Sequence, residues 1–173
     1  FDRSGEKGEA GYEELSELLT PEEYRQARST VGDAFYTSPT IIEGIYEALG
    51  NFGFEGGNVL EPAMGVGNFF GCMPKEMQDN SQLYGVEIDS ISGRIAQALY
   101  PDADIAISGF EKNSFQNGCF DVAVGNVPFG ELGFKDEKHS TTKLHDYFFM
   151  EAMDKVKNGG IVAFVTSAGT LDK

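Results

Sequence analysis

Two hydrophobic periods alternate along this chain. Ile41, Ile42, Ile45, Tyr46 and Leu49 recur at the spacing of one helix face. Ser38-Pro39 before them reads as a cap and first turn, and Gly50-Asn51 as the end. Five short runs, several of them continuously apolar, read as strands instead: Asn58 to Glu61, Leu83 to Ile88, Ile105 to Ile107, Phe120 to Gly125 and Ile161 to Thr166. Runs of that length and character are strands buried on both faces. Between them the pattern predicts a glycine-bearing turn with a helix, a helix over Ser90 to Tyr100, and a helix over Asp146 to Lys157. The last has Phe149, Met153 and Val156 on one face and is broken by Asn158-Gly159-Gly160. Strands alternating with helices predict an α/β fold with a mainly parallel sheet. Such a sheet binds ligands beyond the carboxyl ends of its strands, where the strand order reverses.

Upstream the pattern changes. Residues 1–33 predict an acidic helical arm, with Leu15, Leu18 and Leu19 at helical spacing and Thr20-Pro21-Glu22-Glu23 as a capping box. The main domain is expected over 34–173. The chain opens on Phe1 and closes soon after the fifth strand. Both features are expected of a segment of a longer protein, its sheet truncated after that strand.

Composition narrows the class. At 173 residues and 40% apolar content the chain is long enough for one domain with a core. No apolar run approaches the roughly 18 residues that span a bilayer, so no membrane partner is expected. Cys72 and Cys119 make neither a disulfide framework nor a metal cluster, and both read as packed thiols in a reducing cytoplasm. The net charge of −15 is the unusual quantity, because an acidic surface repels nucleic acid. The first 30 residues, with eight acids and four bases, contribute only −4 of it, which leaves −11 on the rest.

Candidate chemistry begins after the first strand, in NVLEPAMGVGNFFG (Asn58 to Gly71). Gly65 and Gly67 permit a tight turn and close approach of the backbone to a ligand. A helix start beyond them directs N–H groups to the same place. Glu87 ends the second strand 20 residues after Gly67, where a carboxylate accepts hydrogen bonds from ribose hydroxyls. Both NAD and S-adenosylmethionine carry that ribose. Glu61, at the end of the first strand, is unwelcome beneath a pyrophosphate but useful beside a cation. The spacing from Gly65 to Gly71 is also one residue longer than the dinucleotide fingerprint. The sulfonium cofactor is favoured, and a purely structural glycine turn is the alternative.

A second turn, GNVPFG, follows the fourth strand. An amino group on a ring or acyl carbon is a poor nucleophile because its lone pair is delocalised. The Asn126 side-chain oxygen and the Val127 carbonyl could accept both of its hydrogens and free that lone pair. Preorganised acceptors of this kind are electrostatic catalysis. Pro128 would stiffen the turn, and Phe129 could stack on a planar substrate. An Asn-Pro turn with a core Phe is the alternative.

In order along the chain, AFYTSP, LEPAMGVGNFFG, YGVEIDSISGRIA, GNVPFG, HDYFF and GGIVAFVTS resemble the adenine-N6 DNA methyltransferases. That group carries an Asn-Pro-Pro-Tyr/Phe motif. More narrowly, the chain looks like the methylase domain of large phage and mobile-element proteins, where a helicase region often follows. The resemblance implies a Rossmann-like class I methyltransferase core, S-adenosyl-L-methionine as cofactor, and methylation of adenine N6 in DNA. It implies that Tyr36, Thr37 and Pro39 line the methionine end of the cofactor, and that Glu61, Ala63, Gly65 and Gly67 form the glycine motif. Glu87 and Ile88 would contact ribose and adenine, Phe110 would flank the adenine, and Asn126, Val127, Pro128 and Phe129 would form the catalytic turn. No metal is implied.

Two departures stand out. Gly109 replaces a frequent Asp, with Glu111 or a backbone carbonyl as possible substitutes. Val127 replaces the first Pro, as in adenine dimethylases of ribosomal RNA. RNA adenine, a protein glutamine, or a non-catalytic cofactor-binding role inside a larger DNA-processing protein therefore stay open. The acidity assigns DNA capture to regions outside this chain. Lys135 to Lys143 is expected to be either a lid or a disordered connection, and His145 a structural residue more than a substrate contact.

Overall fold

The computed structural model describes residues 18–23, 37–133, 135 and 137–166. Most of the expected arm and Tyr36 lie outside them. The arm's capping box is present: the Glu23 carboxylate accepts the Thr20 amide at 2.9 Å, and Thr20 Oγ1 accepts the Glu23 amide at 3.3 Å. Glu23 also pairs with Arg94 at 2.8 Å.

The elements run α1 (Pro39–Asn51), β1 (Asn58–Glu61), α2 (Asn68–Gly71), α3 (Lys75–Asp79), β2 (Gln82–Glu87), α4 (Ser90–Leu99), β3 (Asp104–Ile107), a 3-10 turn (Phe110–Lys112), β4 (Phe120–Asn126), α5 (Leu144–Lys155) and β5 (Val156–Val165). All pairings between these strands are parallel, in the order β3-β2-β1-β4-β5. The α/β expectation holds, and the order reverses between β1 and β4. The Rossmann-like reading requires that arrangement. No described helix is long and apolar enough to cross a membrane.

Strand alternation builds two cores. Val59, Leu83, Val122 and Val124 point to one face and pack with Ile42, Tyr46 and Leu49 of α1 and Ala96 of α4. Leu60, Val86 and Ala123 point to the other and meet Tyr147, Phe148 and Ala152 of α5. Each fully buried large side chain contributes about 1.5–3 kcal/mol. Tyr46 is buried with its hydroxyl donating to the Phe69 carbonyl at 3.0 Å, which ties α1 to the turn after β1.

Helix α1 ends at Asn51, as expected, with its cap at Phe52 and the left-handed residue at Gly53, φ 88°. Three local expectations are corrected. The single helix after the glycine turn is two short pieces, since Pro74 has no N–H with which to continue the first. Helix α5 buries Phe148, Ala152 and Lys155, while Met153 is exposed. Asn158-Gly159-Gly160 lies inside β5 as an irregularity: β4 pairs Phe120 with Val156 and then Val122 with Ile161.

Candidate active site

The carboxyl ends of four strands open on one cavity of about 610 Å³. From β1 and its turn come Glu61, Ala63 and Gly65; from β2, Glu87, Ile88 and Asp89. The segment after β3 contributes Gly109, Phe110 and Glu111, and β4 with its turn contributes Asn126, Val127, Pro128 and Phe129. Thr37, just before α1, completes the near wall. Pro39 and Gly67 are not on the lining. Pro39 is exposed at the first turn of α1. Gly67 caps α2 at φ 84°, where a Cβ would run into the Tyr100 ring, and the Tyr100 hydroxyl donates to its carbonyl at 2.8 Å. Of the paired glycines, Gly65 faces the cavity with open space above it and Gly67 holds the turn in shape.

Every charged side chain among the described lining residues is a carboxylate: Glu61, Glu87, Asp89 and Glu111. Glu61 is 2% exposed, and burial pushes its carboxyl well above the ordinary value of 4.5, against backbone amides of Phe69 and Phe70. The nearby Glu87 charge adds to the rise. Glu87 accepts the Gly65 amide at 2.6 Å and the Asp89 amide at 2.7 Å, which fixes its side chain across the turn. Burial raises its carboxyl too, against those amides. Three buried oxygens on this wall, Thr37 Oγ1, Glu61 Oε2 and Asp89 Oδ1, have no hydrogen-bond partner among the described residues. No Lys, Arg or His is among the described residues of the lining. A cavity so built repels anions and accepts a cationic ligand that brings its own donors.

The Asn-Val-Pro-Phe turn lines the same cavity. Asn126 ends β4, and the Val127 amide donates to the Val165 carbonyl at 3.1 Å, anchoring the turn to β5. Val127 is buried in the second core, so the position of the absent proline is filled by a packed aliphatic side chain. Phe129 and Ile88 both line the cavity and are 46% and 71% exposed. Phe110 is buried and stacked on Phe148, ring centroids 5.3 Å apart. His145 is buried at the start of α5 and is not on the lining. Glu111, the expected substitute for the Asp missing at Gly109, does line the cavity, whereas Asp89 went unnoticed as a site residue. Asp89 is the N-cap of α4, a role that explains an Asp there and hides any other.

The segment after the turn is tied down at both ends. Glu131 and Lys143 form an antiparallel bridge and an ion pair. Lys138 and His139 reach Glu151 and Asp154 on α5. Gly133, at the segment's start, lines the cavity.

Comparison with known proteins agrees with this geometry. The chain is 36% identical over 137 residues to the Defense against restriction protein B of Escherichia phage P1, covering 76% of this chain and 6% of that one. It is 29% identical over 148 residues to the Type II methyltransferase M.CvrRI of Paramecium bursaria Chlorella virus XZ-6E, covering 82% and 38%. This chain thus spans well under half the length of either relative. Among solved structures, the methyltransferase subunit of a type I restriction-modification system from Streptococcus thermophilus shares the fold. Its TM-score is 0.64 at 17% identity, over 79% of this chain and 35% of that one. The family model for N-6 DNA methylases matches residues 14–173, nearly the whole sequence. The chain belongs to the N-6 DNA methylase family.

Proposed function

We propose that this domain binds S-adenosyl-L-methionine and methylates the exocyclic amino group of adenine in DNA. The observation that carries this reading is the continuity of one cavity between the wall that holds Glu61, Glu87, Asp89 and Glu111 and the Asn126–Phe129 turn. S-adenosylmethionine fits the wall. Its sulfonium and ammonium suit the carboxylates, its ribose hydroxyls supply donors, and the pyrophosphate of a dinucleotide would meet only like charge. When bound, it supplies an electrophilic methyl group.

The protein's own residues do the rest. Thr37 and Glu61 hold the amino-acid end, Glu87 the ribose, and Ile88 and Phe110 the flat base. A target adenine, flipped out of its stack, rests against the exposed Phe129 ring. The Asn126 side-chain oxygen accepts one amino hydrogen and the Val127 carbonyl the other, so that the nitrogen lone pair is freed for attack. Pro128 and the Val127–Val165 hydrogen bond keep those acceptors in place. No general base with a shifted pKa is needed before transfer.

An Asn126→Ala variant of the full chain tests the assignment. Transfer of labelled methyl to DNA should fall about a hundredfold or more, while affinity for S-adenosylhomocysteine stays within about twofold of the parent. Transfer that survives the substitution would remove Asn126 from the chemistry. Parallel assays on RNA and on a protein glutamine separate the substrate classes.

A further inference from the structure

Building on that cofactor assignment, we propose that Asp89 is a specificity-determining residue, forming with Glu87 a two-carboxylate clamp for the vicinal hydroxyls of the cofactor ribose. The clamp follows from how the two side chains are already committed. Both Glu87 oxygens are engaged by backbone amides, Oε2 by Gly65 at 2.6 Å and Oε1 by Asp89 at 2.7 Å. Each oxygen keeps further lone-pair capacity, but its orientation is fixed. Asp89 divides its two oxygens differently. Oδ2 caps α4 by accepting the Ser92 amide at 2.8 Å. Oδ1 is buried, on a residue 6% exposed that lines the cavity, and has no partner among the described residues.

A cap needs one oxygen. Serine or threonine would supply it without burying a charge. The second oxygen of Asp89 is therefore surplus to the helix, and a buried carboxylate oxygen without a donor is costly to keep. It is kept where a ligand brings the donor. A ribose brings two hydroxyls on adjacent carbons, and the Glu87 and Asp89 carboxylates are two residues apart at the end of one strand, joined by the Asp89 amide. One hydroxyl to each carboxylate satisfies both donors and the orphaned oxygen. The clamp also explains why the residue after Ile88 is an Asp and not another good cap.

The test compares S-adenosylhomocysteine with its 2′-deoxy and 3′-deoxy counterparts by calorimetry on the full chain, parent and Asp89→Ser. Serine retains the cap and removes the second oxygen. In the parent, one deoxy compound should bind at least about tenfold more weakly, the scale of a hydrogen bond to a charged group. Asp89→Ser should lose about the same factor for S-adenosylhomocysteine but under twofold for that deoxy compound. Equal losses for all three compounds would make Asp89 a cap only and overturn the clamp, as would no loss for any. The parent's own discrimination needs no mutant: if it binds all three alike, the clamp fails even with a folded protein. If the parent does not bind S-adenosylhomocysteine at all, the cofactor assignment falls and the clamp with it.

Discussion

Two clusters of carboxylates, one lining the cavity and one on α5, are held in opposite ways. On the cavity wall, burial lifts Glu61 and Glu87 above their ordinary range, with no basic side chain among the described lining residues. On α5, burial also acts on Glu151, but hydrogen bonds from Lys138, Asn113 and Lys155 outweigh it and hold the carboxyl low. Asp154 is held low by hydrogen bonds from Lys138 and His139. Glu151 is buried much as Glu61 and Glu87 are, while Asp154 is 37% exposed. The second cluster carries its own cations. The first leaves its charges uncompensated, at a cost the fold tolerates only where something arrives to offset it.

The largest effect expected from this contrast is at Glu151. Its side chain is 8% exposed and meets Lys155, itself 9% exposed, at 3.2 Å. Glu151→Gln removes the charge and strands Lys155, whose Nζ would keep only the Phe115 carbonyl and Asn117 Oδ1. Urea unfolding should show a loss of about 3 kcal/mol, the low end for breaking a buried pair. A loss below about 1 kcal/mol would place Glu151 with the tolerant surface pairs and erase the contrast.

Glu61→Gln should do the reverse. It removes a buried charge that has no counter-charge on the wall, so stability at neutral pH should hold or rise. Affinity for S-adenosylmethionine should fall about tenfold. The sign with pH follows from the raised carboxyl. In the parent, Glu61 gains charge only as pH climbs above 4.5 towards its lifted value, so cofactor binding should tighten across that window. In the free protein the stability contribution of this group is present below 4.5 and is lost as pH rises through the lifted value. Calorimetric titrations over pH in parent and Glu61→Gln check both. Parallel pH profiles would mean that Glu61 does not pair with the ligand's positive charge.

Much of this architecture is legible in the sequence because its determinants are local. Short apolar-rich runs mark the five strands, and Glu61, Glu87 and Asn126 could be placed at strand ends by position alone. What was not legible depends on partners far along the chain. Helix α5 stops at Lys155 and not at Lys157 because the Asp154 and Lys155 carbonyls are taken by the Gly118 and Cys119 amides at 3.0 and 2.9 Å. Gly67 looked like a ligand-facing glycine, yet it is required by the ring of Tyr100, 33 residues away. Lys138 and His139 lie in a polar stretch with no periodicity, and only the fold brings them to α5. Asp89 hid behind its cap. A residue with one evident local duty gives no sign in sequence of a second.

The smallest effect sharpens the contrast from the α5 side. Lys138 and Asp154 meet at 2.7 Å, but their side chains are 48% and 37% exposed, so water and salt screen the pair. Asp154→Asn should cost under about 1 kcal/mol at neutral pH. Because its carboxyl is held below the ordinary 3.8, the parent's advantage should be present above 3.8 and vanish as pH falls through the lowered value. It should also shrink at 1 M salt. The effect at Glu151 should persist under that salt, because its partner Lys155 is buried with it. If the two losses scaled together with ionic strength, the α5 cluster would be one screened surface network. Its low carboxyls would then reflect exposure to counter-ions and not a core completed by its own cations, and the opposition to the cavity wall would rest on Glu61 alone.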